Sequence, residues 1–83
     1  MENKWRKPTE LLPPLTFFDE GWYESELVLI CTNNSSRLYK YQIAYYLRHE
    51  NRGVWVNPVN GMVTQSNDVR YWREIEPAPD TDD

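Results

Sequence analysis

Leu27-Val28-Leu29-Ile30-Cys31 is the most aliphatic run in the chain, and its reading decides the fold. It is too short to cross a bilayer. Its β-branched residues, Val28 and Ile30, suit a strand buried on both faces. We place it, extended to Glu26–Thr32, at the centre of a small sheet. The aromatic segments that follow are expected to wrap around it.

Outward from that run, Asn33-Asn34-Ser35-Ser36 is a turn signal, because Asn tolerates positive φ and Ser bonds its own backbone. A hairpin into Arg37–Arg48 is the simplest connection. In that segment Tyr39, Tyr41, Ile43, Tyr45 and Leu47 alternate on one face, and the period of two favours a strand over a helix. His49 to Gly53 is then a polar turn and Val54-Trp55-Val56 a short strand stopped by Asn57-Pro58. Val59-Asn60-Gly61 turns again, Met62–Asp68 reads as loop, and Val69–Ile75 alternates as a last strand. On the other side, Pro8, Pro13 and Pro14 exclude a helix, leaving an extended segment that tacks Trp5 and Leu11-Leu12 onto the core. Leu15–Ser25 reads as a loop or irregular insertion.

Short strands between regular turn signals predict an all-β fold, a small antiparallel meander in an SH3-like, partly closed barrel. An α+β version with Arg37–Arg48 helical is the alternative. At 83 residues the chain supports one small domain over 1–79, with 80–83 as a flexible acidic tail. Four Trp and six Tyr compensate for a short chain, since each large ring can bury roughly 150–250 Å². The N-terminus lacks an apolar signal-peptide region, and no run is long enough for a membrane span. A reducing cytoplasm is the expected setting, without a membrane role.

The composition argues against catalysis and cofactors. Cys31 is the single cysteine and lies in the apolar run, where it reads as a small buried hydrophobe. His49 is the single histidine, and no Cys or His spacing completes a metal site. Ser35, Ser36 and Ser66 sit in turn composition, without a nucleophile elbow. Asp19, Glu20, Glu24 and Glu26 read as solvated loop acids and not as a glycosidase pair. A glycine-rich phosphate loop is also missing. We therefore expect no enzyme, no metal and no cofactor.

Two surface features remain. Phe17, Phe18, Trp22 and Tyr23 lie among Asp19, Glu20 and Glu24, more large rings than a connector needs. Aromatics dominate interface hot spots, so these seven residues are the candidate partner-binding set, with the acids suited to a basic surface. The alternative is a single-stranded nucleic-acid surface that stacks bases on rings and holds phosphates on cations. Its candidates are Lys40, Arg48, Arg52, Trp55, Arg70 and Trp72. The net charge of −4 weighs against that alternative.

The ending Val69-Arg70-Tyr71-Trp72-Arg73-Glu74-Ile75-Glu76-Pro77-Ala78-Pro79 resembles the close of a family of small phage and prophage proteins of unknown function. Its members end on a Val-x-His-Trp-like motif followed by a proline-rich run. Trp5 with Leu12-Pro13, the Leu27–Ile30 strand, Ile43-Ala44-Tyr45-Tyr46 and Trp55 fit the same pattern. The chain departs from it at Tyr71, where many members have His, at Arg73-Glu74 in place of Met-Pro, and in the Leu15–Ser25 insertion. The resemblance implies a phage-encoded accessory protein made in a bacterial cytoplasm. Taken together with the acidic, aromatic loop, it points to a basic surface on a host bacterial protein, such as a nucleic-acid-handling or defence factor, as the partner. It implies no activity, and the oligomeric state is left open.

Overall fold

The computed structural model describes residues 4–75. The domain limit at 79 and the acidic tail over 80–83 lie outside the described residues. Strands β1 (Leu15–Asp19), β2 (Trp22–Ser25) and β3 (Val28–Thr32) precede one helical turn, α1 (Arg37–Lys40). Strands β4 (Tyr41–His49), β5 (Arg52–Val56) and β6 (Val63–Gln65) follow, then a 3-10 turn at Ser66–Asp68 and β7 (Val69–Glu74). All the strand pairings are antiparallel, and the sheet curls into a half-barrel. The all-β, barrel-like expectation is met, but the expected meander is not: β2 pairs with β4 and β3 with β7, so consecutive strands are not always neighbours.

The curl has a local cause. β2 and β3 run consecutively along one edge of β4, pairing Glu24 with Leu47 and then Val28 with Ala44. From the first pair to the second, β2–β3 advances by four residues and β4 by three. The extra residue is a β-bulge, which bends the long strand and increases its twist. Inside the bulge the Tyr46 amide meets no ladder carbonyl and donates instead to Ser25 Oγ at 2.8 Å. Ser25 in turn donates to the Glu26 carbonyl at 2.8 Å. Beyond the bend, β1 pairs with the β2 half and β7 with the β3 half, while β5 and then β6 extend the sheet from β4.

The core is one cluster of Val28, Ile30, Ala44, Tyr46, Trp55, Val69 and Trp72, with Leu12 and Leu15 packed at its margin. Trp72 also anchors the N-terminal segment: its Nε1 donates to the Leu11 carbonyl at 2.7 Å, and Arg6 bridges its backbone in both directions. Of the residues expected to be tacked onto the core, Leu12 packs at its margin, whereas Trp5 and Leu11 are exposed.

Several expectations are corrected. Leu27 lies outside the strand and is exposed, and β4, not β3, has the most strand neighbours, pairing with β2, β3 and β5. Arg37–Arg48 is neither wholly strand nor helix, since one helical turn precedes β4. The faces of β4 are also the reverse of the apolar pattern: Gln42, Ala44 and Tyr46 point inward, while Tyr41, Ile43, Tyr45 and Leu47 are exposed or half-buried. Two indoles from other strands already fill the interior, so β4 supplies one small residue, one ring and an amide. Gln42 is tolerated because its Nε2 donates to the Tyr39 carbonyl at 2.9 Å and its Oε1 accepts from Asn57 Nδ2 at 3.2 Å. Met62–Asp68 contains β6, stabilised by pairing with β5 despite its polar sequence. In β7 the alternation is broken. Cys31 pairs with Tyr71 but Thr32 pairs with Val69, and this second bulge lets Val69 and Trp72 share the core.

Candidate functional site

Leu15–Ser25 is a β-hairpin and not the irregular insertion expected from its sequence. Asp19 pairs with Trp22 across a loop of Glu20 and Gly21, whose φ values are 50° and 88°. Two successive positive φ values characterise the primed turns whose twist matches paired strands. Gly21 accommodates this conformation freely. Glu20 does not, and its presence is why the turn signal was weak in the sequence.

The cross-strand register sorts the predicted partner-binding residues onto two faces. Phe17, Glu24 and Leu47 form one row, and Asp19, Trp22 and His49 the next on the same face. Phe18, Tyr23 and Arg48 form a row on the opposite face. The Trp22 and His49 rings lie 4.5 Å apart, and Phe18 and Tyr23 lie 4.8 Å apart. Pairs of this kind contribute about 0.5–1.5 kcal/mol each beyond area burial. They hold the rings in place without covering them: Phe18 remains 63% and Trp22 46% exposed. Phe17, Asp19, Trp22, Glu24 and Leu47 enclose a shallow cleft of about 430 Å³. Glu20 caps the tip. No residue between 16 and 24 belongs to the core cluster.

The predicted nucleic-acid set is not brought together. Trp55 and Trp72 are 0% and 1% exposed, so neither can stack on a base, and both are corrected to core residues. Their alternation in sequence resembled that of surface rings because a curled sheet turns every strand's inner face toward one small core. Arg48 and Arg52 sit beside the β4–β5 turn, in pairs with Gly53 and His49. Lys40, just before β4, and Arg70 on β7 lie toward the other end of β4.

Two members of the set, Lys40 and Arg70, do come together, beside rings from the same alternating segments and beside Trp5 and Cys31, which sequence reasoning did not connect to them. These two cations line a cleft of about 330 Å³ with Trp5, Cys31, Tyr41 and Tyr71. Cys31 is buried, as expected, and forms part of that lining. Trp5 gave no local signal of membership because it lies 66 positions from Tyr71 in the chain.

No group of three or more metal-ligating side chains occurs among the described residues, and no helix among them is long and apolar enough to cross a membrane. Neither a protein-family model, nor a curated protein, nor a solved structure matches this chain.

Proposed function

We propose that the protein is an accessory interaction module that docks a protein partner through the β1–β2 hairpin. One observation carries this reading: four large aromatic side chains stand exposed on both faces of a ribbon that contributes nothing to the core between 16 and 24. Leaving that much ring surface in water costs stability, roughly 25 cal/mol per Å² of apolar area, and a partner that covers it recovers the cost. The rings are fixed by their cross-strand neighbours, so little side-chain freedom is lost on docking. Asp19, Glu20 and Glu24 surround them, which favours a partner with a basic face. The resemblance to phage and prophage proteins supports a bacterial host protein in that role, inhibited or redirected by occupation of a nucleic-acid-binding face.

The test is affinity capture from bacterial lysate with the wild-type chain and with Phe18→Ser/Trp22→Ser. The reading expects a partner that the wild type retains, that the variant loses while its circular dichroism is unchanged, and that salt weakens. Equal recovery by both chains would refute it.

A further inference from the structure

The outer face of the β4–β3–β7 sheet carries a second, independent feature. Cys31 pairs with Tyr41 on one side and with Tyr71 on the other. The two tyrosines therefore rise from strands flanking a short side chain, separated at the backbone by two interstrand spacings, about 9.5 Å. A flat ring sandwiched between two others needs about 7 Å between their planes, twice the ~3.5 Å carbon contact distance. Trp5 closes a third side, with its ring 6.2 Å from that of Tyr41.

The rim is positive. Lys40 Nζ lies 5.9 Å from the Tyr41 ring centre, and the Arg70 guanidinium lies 5.9 Å from that of Tyr71. Neighbouring strand residues normally face opposite sides, but the bulge in β7 inserts Arg70 between the pairs of Tyr71 and Val69. Arg70 and Tyr71 thus line the same cleft. Re-aiming a side chain in this way is a recurrent use of bulges beside binding sites. Arg73 stands 5.6 Å over Trp5, and its buried Nε has no hydrogen-bond partner among the described residues. Among the described residues no carboxylate lines the cleft, and the ion pair, Arg6–Glu74, uses neither rim cation. On a chain of net charge −4, this is a local cationic site built around aromatic walls.

We propose that this cleft binds a nucleotide unit, with the base between Tyr41 and Tyr71 above Cys31 and the phosphate on Lys40 and Arg70. The aromatic walls select a flat ring, and the paired cations select an anion attached to it. A free nucleotide and a residue of a single-stranded nucleic acid share this chemistry. The site is separate from the hairpin and does not depend on the docking role proposed for it.

Isothermal titration with a nucleoside monophosphate, the unphosphorylated nucleoside, inorganic phosphate and an oligonucleotide of about eight residues tests the proposal, at about 50 mM salt, where phosphate contacts are strong. The monophosphate is expected to bind more tightly than the nucleoside or inorganic phosphate. Tyr41→Ala and Tyr71→Ala should each weaken it by about 5- to 150-fold, the equivalent of ~1–3 kcal/mol per stacked base. Tyr71→Leu, which retains more apolar volume, should weaken binding as well, and this separates stacking from a loss of folding. Lys40→Gln with Arg70→Gln should remove the preference for the phosphorylated ligand. Arg52→Gln, away from the cleft, should leave binding unchanged. Tighter binding of the oligonucleotide with a steeper salt dependence identifies a single strand as the source, and equal binding identifies a free nucleotide. Absence of binding by every nucleotide probe, unchanged affinity in the tyrosine variants, or inorganic phosphate binding as tightly as the monophosphate would each overturn the proposal.

Discussion

Ser25→Ala removes one hydroxyl and should destabilise this fold far more than its size implies. The hydroxyl occupies the bulge where β2 passes into β3, accepting from the Tyr46 amide and donating to the Glu26 carbonyl. Ser25 is 3% exposed and Tyr46 lies in the core, so water cannot replace the lost acceptor without opening the bend. A buried donor left unpaired costs about 1–3 kcal/mol. For a domain of this size each kcal/mol moves Tm by roughly 4–8 °C, giving an expected fall of about 5–20 °C. Two measurements are needed. Thermal unfolding by circular dichroism reads the global loss, and amide hydrogen exchange reads the Tyr46 N–H directly. That amide should change from protected to fast-exchanging, while amides in the β4–β5 ladder retain their order of protection. Ser25→Cys, similar in size with a weaker acceptor, should fall between Ala and wild type. A Ser25→Ala protein within about 0.5 kcal/mol of wild type, the range of ordinary surface substitutions, would refute the assignment of the bend to this hydroxyl. A Tyr46 amide still protected to the wild-type degree would do the same.

Other substitutions probe the remaining joints. Gly53→Ala places a methyl group against the Tyr46 hydroxyl and ring edge, with Cε1 only 2.8 Å away. Overpacking of this kind costs about 1–3 kcal/mol, whereas Ala for Gly at an open extended position stabilises by about 0.4–1 kcal/mol; the sign of the Tm change decides. Trp72→Phe strands the Leu11 carbonyl, which now accepts from Nε1 at 2.7 Å, and should loosen the segment before β1. Limited proteolysis should then cut within the Trp5–Leu12 segment faster than in wild type. By contrast, Arg6→Ala breaks an exposed ion pair of a type worth about 0–1 kcal/mol. It also removes a cation–π contact at 5.1 Å from the Trp72 ring, and denaturant melts should show a loss near 1 kcal/mol. Phe18→Ser with Trp22→Ser breaks two ring pairs worth about 0.5–1.5 kcal/mol each and should lower Tm by roughly 4–24 °C, with the room-temperature circular dichroism spectrum unchanged because neither residue belongs to the core cluster.

Local chemistry carried a good share of the fold. Val28 and Ile30 announce a buried strand through β-branching, and Asn33–Ser36 and Val59–Gly61 announce turns through the backbone freedom and self-bonding of Asn, Ser and Gly. The prolines before Leu15 exclude a helix by geometry alone. From these, an all-β fold follows from the sequence, as do the exposed rings of the hairpin as a surplus over the core's needs; the strand order, in which β2 pairs with β4 and β3 with β7, does not. What the chain could not state locally is which side of each strand faces in. β4 alternates Tyr41, Ile43, Tyr45 and Leu47 against Gln42, Ala44 and Tyr46, and either set could serve as an inner face. The choice falls to the second set because Trp55 and Trp72, brought in from other strands, occupy the volume that the larger first set would need. The bulges at Ser25–Leu27 and at Arg70 are equally invisible in the sequence, since each is a mismatch between two strands and a property of neither. Those mismatches bend the sheet and turn Arg70 toward Tyr71, and with Trp5 arriving across β7 they assemble a cleft from residues about 66 positions apart. Sequence determines what each short segment prefers, but burial is shared among segments, so only the assembled sheet decides which rings are core and which are offered to a ligand.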